Sequence, residues 1–194
     1  MPGSNIVFVL TGSIAGYKAC EVISRLMQQG HRMRVVATES ALRFVGEATL
    51  EGLTGKRVLI DLWTPGAALD HIELTRWADL VVVCPATADL LAKMAAGIAD
   101  DLATTLLLAT DKPVVVAPAM NVRMWRHAAT QRNVAQLKAD GVRVIDPAEG
   151  EMACGEFGPG RLPEPQHVVD WLARTNSSPR LLGEGNQRSW WRGN

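Results

Sequence analysis

The chain has 194 residues, 47% hydrophobic and 21% charged, a composition that suits one domain with a substantial core, or one domain with a tail. Its 20 Lys and Arg balance 20 Asp and Glu, so no net charge draws it to nucleic acid or to a membrane surface. No charged-then-apolar leader stands at residues 1–5 and no apolar run is long enough to span a bilayer, so the expected location is cytoplasmic. Cys20, Cys84 and Cys154 are an odd number without zinc-type pairing, which argues against a disulfide framework or a structural metal. Cys20 and Cys84 read as buried thiols, whereas Cys154 stands in a glycine-rich loop.

Residues 5–10 (Asn-Ile-Val-Phe-Val-Leu) form a continuous apolar run, the pattern of a strand covered on both faces. Thr11-Gly-Ser-Ile-Ala-Gly16 then opens a helix that ends near residue 29, before Gly30. A loop in that position is the usual phosphate site of a doubly wound fold. The spacing is not Gly-x-Gly-x-x-Gly, so two readings stand side by side: a hydroxyl-lined phosphate loop, or a tight turn capped by Ser13. A second strand is expected at 33–37, followed by Thr38-Glu-Ser40, short helices at 41–44 and 48–54, a short extra strand at 56–61 and a loop at 64–69. His71 falls in a loop segment, where a lone histidine is ordinarily a surface or capping residue.

The strand at 80–84 runs into Pro85-Ala-Thr-Ala-Asp89, and helices are expected at 88–96 and 100–109. The next strand, 114–117, leads into Pro118-Ala-Met-Asn121, with Asn121 as a candidate helix cap, Met120, Met124 and Trp125 as packing, and a helix at 125–138. A further strand is expected at 142–145, then a long glycine-rich loop at 147–162 of the kind that often serves as a binding segment, then a helix at 165–172. From residue 175 the apolar periodicity stops, which reads as a mobile tail that includes Trp190 and Trp191.

Strand and helix alternate throughout, the signature of a three-layer α/β/α domain with a doubly wound, mostly parallel sheet of Rossmann-like or flavodoxin-like type over residues 1–174. Loops 12–15, 38–40, 85–89 and 118–121 all leave the carboxyl ends of strands. They are rich in hydroxyls and small residues and almost without cations, which suits a nucleotide or flavin held by dipoles and backbone donors.

Five motifs in order give these residues a likeness: Gly12-Ser-Ile-Ala15, His71-Ile-Glu-Leu-x-x-Trp77-Ala-Asp, Pro85-Ala-Thr-Ala-Asp89, Pro118-Ala-Met-Asn-x-x-Met-Trp125 and Ala153-Cys-Gly155. Together they resemble the homo-oligomeric flavin-containing cysteine decarboxylases, over about residues 5–172. The resemblance implies FMN as cofactor, held by Gly12, Ser13, Ile14, Thr38, Ser40, Thr87, Ala88, Asp89 and Ala119. It implies His71 as catalytic base, Asn121 as the holder of the substrate carboxylate, Cys154 as a late proton donor, and Glu151, Met152 and Ala153 as substrate contacts.

The implied reaction is decarboxylation of 4'-phosphopantothenoylcysteine to 4'-phosphopantetheine in coenzyme A synthesis. Direct loss of CO2 from a cysteine carboxylate leaves an unstabilised carbanion. Oxidation of the thiol-bearing carbon to a thioaldehyde first creates an electron sink, and the enethiol left by decarboxylation is then re-reduced. Two other activities occur in such a family, a peptidyl-cysteine decarboxylase that stops at the enethiol and a non-enzymatic phosphatase regulator. The Ala153-Cys-Gly155 triplet favours the first activity, because re-reduction needs a proton donor. The family likeness also implies a homotrimer or homododecamer with sites between subunits, and a phosphopantothenoylcysteine synthetase as a fused or separate partner.

Overall fold

The computed structural model describes residues 3–63, 70–153 and 155–176. Cys154, the expected loop at 64–69 and the tail beyond residue 176 lie outside them. In chain order the first elements are β1 (Asn5–Leu10), α1 (Gly16–Gln28), β2 (Arg32–Ala37), α2 (Glu39–Leu42), α3 (Glu47–Thr54), α4 (Asp70–Trp77), β3 (Leu80–Ala86) and α5 (Ala88–Ala96). There follow α6 (Leu102–Ala109), β4 (Val114–Pro118), α7 (Val122–Arg126), α8 (Ala128–Ala139), β5 (Arg143–Val144), β6 (Ala148–Glu151), β7 (Phe157–Arg161) and α9 (Pro165–Asn176).

Five strands form one parallel sheet in the order β2-β1-β3-β4-β5. Phe8 lies opposite Val35 on one side and Val82 on the other, and Val82 opposite Val115. Successive side chains point to opposite faces, so each strand feeds two cores. Phe8, Val82 and Val115 pack with Val22, Ile23 and Leu26 of α1 and Val168 and Leu172 of α9. Val7, Val81 and Val116 pack with Leu90 and Leu91 of α5, Leu106 of α6 and Leu137 of α8. Burial on both faces is why the strands read as unbroken apolar runs. The strand order reverses at β1 and β3, which makes the crevice above their carboxyl ends the expected ligand position. Pro85 offers no N–H to the ladder, and the β3–β4 register shifts between Val83 and Ala86. Among the described residues no helix is long and apolar enough to cross a membrane.

Several expectations are corrected. The extra strand at 56–61 is a single bridge, Val36 to Leu59. The strand at 142–145 shrinks to two residues. His71 is helical, on α4, rather than in a loop. The helix at 125–138 is two helices, because His127 is extended (φ −63°, ψ 135°) and its Nδ1 accepts the Ala129 N–H at 3.1 Å as a new cap. The helix at 100–109 begins two residues later, with Asp101 and Thr104 forming a capping box.

The largest correction concerns the glycine-rich loop, which is an antiparallel hairpin of β6 and β7 with Gly150 opposite Gly158. It is tied to the loop after β4 by the Met120 N–H donating to the Gly160 carbonyl at 2.9 Å.

A candidate ligand cavity at the strand carboxyl ends

The loop after β1 is locked to the loop after β3. The buried Thr11 hydroxyl donates to the Pro85 carbonyl at 2.5 Å and accepts the Thr87 N–H at 3.2 Å. Gly12 then passes so close to the loop after β2 that an added Cβ would lie 2.6 Å from Ser40 Cβ. Only glycine fits there. The hydroxyls of these loops also serve the backbone. Ser13 Oγ accepts the Ala15 N–H at 3.2 Å, Thr38 Oγ1 the Ala41 N–H at 3.2 Å, and Thr87 Oγ1 the Leu90 N–H at 3.3 Å. Capping and ligand binding are therefore compatible readings for Ser13 and Thr87, whose oxygens keep a donor hydrogen and a second lone pair, whereas the Thr38 hydroxyl also pairs with Ser40 Oγ at 3.0 Å.

A cavity of about 580 Å³ opens above these loops, lined by Gly12, Ser13, Ile14, Thr87, Ala88 and Ala119 from the sheet loops. Asn121 lines it from the start of α7, and Glu151, Met152 and Ala153 from the hairpin. An adjoining cavity of about 440 Å³ takes Thr38, Ser40 and Asp89, with Thr87 on the wall of both. Asp89 is engaged there with Lys93 at 3.6 Å, and Lys93 also holds Asp100 at 3.0 Å. The hydrogen bond from Lys93 keeps the Asp100 carboxyl below its usual range. A third cavity, of about 550 Å³, lies at the opposite end of the sheet beside Pro113 and Gly141 and contains none of the expected site residues.

His71 lines neither of the two upper cavities. It is half-buried on α4, with Nδ1 enclosed and without a hydrogen-bond partner among the described residues. Cys84 is fully buried, and burial pushes its thiol up to about 12, so it is an inert core residue as its sequence context suggests.

The cavity also contains Tyr17 and Lys18, which sequence reasoning passed over, together with Arg161 and with Met120, which was expected only as packing. Met124 is corrected from packing residue to cavity wall, 48% exposed, whereas Trp125 does pack against the core. Lys18 carried a signal. It sits on the buried stripe of α1 with Ala19, Val22 and Ile23, where a cation is out of place unless paired. Its ammonium donates to Glu164 Oε1 at 2.6 Å, and this bond holds the Glu164 carboxyl below its usual range.

That shift gives a signed prediction. A carboxyl depressed in the folded state stabilises fully above its unfolded pKa of about 4.3, and the contribution disappears as pH falls through the lower folded value. The melting-temperature difference between wild type and Lys18→Met is therefore constant at neutral pH and narrows below about pH 4. It is small throughout, because the Glu164 side chain is 72% exposed. A difference unchanged down to about pH 2 would refute the assignment.

Asn121 uses both ends of its amide. Oδ1 accepts the Arg123 N–H at 2.7 Å, capping α7, and Nδ2 donates to Glu156 Oε2 at 2.5 Å. The cap is thus made by the side chain, and its NH2 group faces a carboxylate.

This arrangement has counterparts among known proteins. The coenzyme A biosynthesis bifunctional protein CoaBC of Vibrio parahaemolyticus is 47% identical over 184 residues, which is 94% of this chain and 46% of that protein. The protein of the same name from Mycobacterium bovis is 50% identical over 164 residues, 84% of this chain and 39% of that protein. The chain therefore spans a little under half the length of these curated relatives. A solved mutant PPC decarboxylase complexed with pantothenoylaminoethenethiol superposes with a TM-score of 0.81 at 31% identity, covering 91% of this chain and all of that one. The Flavoprotein family model matches residues 1–177, which takes in the whole sheet and every wall of the cavity, and the chain belongs to that family.

Proposed function

We propose that this chain is an FMN-dependent decarboxylase that converts 4'-phosphopantothenoylcysteine to 4'-phosphopantetheine, with residues 1–174 as the FMN-binding unit. One observation carries the reading. A single cavity gathers the flavin positions Gly12, Ser13, Ile14, Thr87, Ala88 and Ala119 with the substrate positions Asn121, Glu151, Met152 and Ala153. The cradle suits a flat ring. Gly12 leaves no room for a Cβ, and Ile14, Met120, Met124 and Met152 offer apolar walls. Thr38, Ser40 and Asp89 complete the flavin contacts from the adjoining cavity.

Bound flavin supplies the two-electron oxidation of the thiol-bearing carbon and returns the pair after CO2 has left. His71 takes the thiol proton, a task suited to an imidazole, whose ring nitrogen has a lone pair to accept it. Asn121 holds the carboxylate with a neutral amide donor. Cys154 protonates carbon in the final step. The apolar walls exclude water, which strengthens the few polar contacts inside.

His71 reaches this chemistry from a second copy of the chain, in a homotrimer or homododecamer. Ile14 and Tyr17, each 65% exposed, with Phe44 at 54% and Met124 at 48%, leave the cavity mouth an apolar face for that copy to cover. The synthetase reaction that precedes decarboxylation belongs to a fused or separate partner, and the setting is the cytoplasm.

Purified protein should be yellow, and mass spectrometry should find the saturated thiol and CO2 released from 4'-phosphopantothenoylcysteine. Cys154→Ser should accumulate a species two hydrogens lighter than the product. A colourless preparation, or one that turns over only peptides ending in cysteine, would overturn the reading.

A further inference from the structure

Glu156 belongs to no motif, yet it occupies the place where a carboxylate is recognised. Its Oε2 accepts from Asn121 Nδ2 at 2.5 Å, and its Oε1 lies 2.8 Å from Arg123 Nε. The Arg123 backbone N–H closes the ring on Asn121 Oδ1 at 2.7 Å. This ring has two physical consequences.

The first is orientation. An amide with its oxygen on an N–H donor and its nitrogen on a carboxylate has one satisfied state. Flipping it would set oxygen against carboxylate and NH2 against N–H. The second is charge. Arg123 is 88% exposed and Glu156 32%, so their ion pair adds little to stability. It does keep a long, mobile cation engaged within reach of the amide. A carboxylate that leaves as CO2 loses its charge on the way to the transition state. A guanidinium bound to it would stabilise the reactant more than the transition state, tightening binding and slowing the reaction.

We infer that Glu156 is a positioning residue of the carboxylate site. It fixes the Asn121 amide in its donating orientation and holds the Arg123 guanidinium away from the substrate carboxylate. The inference rests on the role of Asn121 in the function proposed above, and Glu156 acts through Asn121 and Arg123. A carboxylate is required rather than any acceptor. Glutamine at this position could present oxygen or NH2 to Asn121, so the orientation would rest on the Arg123 N–H alone, and it could not neutralise Arg123.

The test is the steady-state kinetics of the full chain, flavin bound, on 4'-phosphopantothenoylcysteine. Glu156→Gln is expected to lower kcat about tenfold, the scale of one misaimed charge-assisted hydrogen bond. It also lowers KM about two- to fivefold, the scale of an exposed ion pair gained in the ground state. Adding Arg123→Leu to Glu156→Gln returns KM to the wild-type value and recovers part of kcat. Glu156→Asp, which keeps the charge, recovers more of kcat than Glu156→Gln retains. Should Glu156→Gln not fold, Glu156→Ala and its double with Arg123→Leu carry the same comparison. A rise in KM at unchanged kcat, or a double variant indistinguishable from the single, overturns the inference while wild-type turnover leaves the function standing. A wild-type protein that does not decarboxylate this substrate overturns both.

Discussion

Replacing His71 with asparagine lowers kcat by about a thousandfold, within the range of a lost general base, and leaves the protein yellow. The proposed flavin positions lie on the loops after β1, β2, β3 and β4, whereas His71 is carried by α4 on the wall of neither cavity. Cofactor content is therefore insensitive to the change. If His71 takes the thiol proton, bleaching of the flavin on mixing with substrate falls by the same factor as kcat, since thiolate formation precedes oxidation. Unchanged bleaching with slow product release would remove His71 from that step.

The same variant tests how the base reaches the cavity. In a trimer whose sites pair one copy's cavity with the next copy's His71, two proteins that each fail to make the saturated product complement each other. Mixed after dissociation, His71→Asn and Cys154→Ser subunits give about one quarter of sites both an intact cavity and an intact base, from random pairing of two halves. Recovered saturated product near that fraction supports the shared site. No recovery, with mixed oligomers shown to form, places base and cavity in one copy.

How much of this was legible in the sequence follows the physics of each element. β1, β3 and β4 were readable because a strand buried on both faces shows an unbroken apolar run. β5 is a partly exposed two-residue edge, and its apolar neighbours Val142 and Ile145 suggested a longer strand. β6 and β7 were hidden, since Gly150, Gly158, Pro159 and Gly160 are poor strand formers and their pairing is set by contact with Met120 and Val122. The break at His127 depends on a side-chain cap that periodicity does not register.

Within the site, the loops at strand ends announced themselves by their hydroxyls and small residues. Glu156 did not, because its partner Asn121 is 35 positions away and only the hairpin brings them together. His71 was picked out by the family likeness alone. Its helix gives it no neighbour in the cavity, so nothing in its local pattern distinguishes it from a surface histidine.

Gly160→Ala is expected to reduce kcat/KM about a hundredfold, the scale of a reactive group displaced by about 1 Å, while flavin content holds. Gly160 sits where the hairpin meets the loop after β4. Its φ is +142°, and a Cβ there would collide with the Met120 carbonyl oxygen and lie 3.1 Å from Met152 Cε. The methionine side chain can move aside, but the carbonyl cannot, because the Met120 N–H is bonded to the Gly160 oxygen and the adjacent Ala119 N–H to Ala86. The hairpin must therefore shift, and Glu151, Met152 and Ala153 on the cavity wall shift with it. Backbone strain of about 1–3 kcal/mol lowers the melting temperature by about 5 °C in a chain of this size. That loss is too small to unfold the protein and too local to disturb Gly12 or Ala119. Gly46→Ala is the control, with no atom within 4 Å of its added Cβ, and it leaves both readings unchanged. A Gly160→Ala enzyme within about threefold of wild type would mean that the hairpin tolerates displacement, and that Met152 and Ala153 do not set the substrate's position.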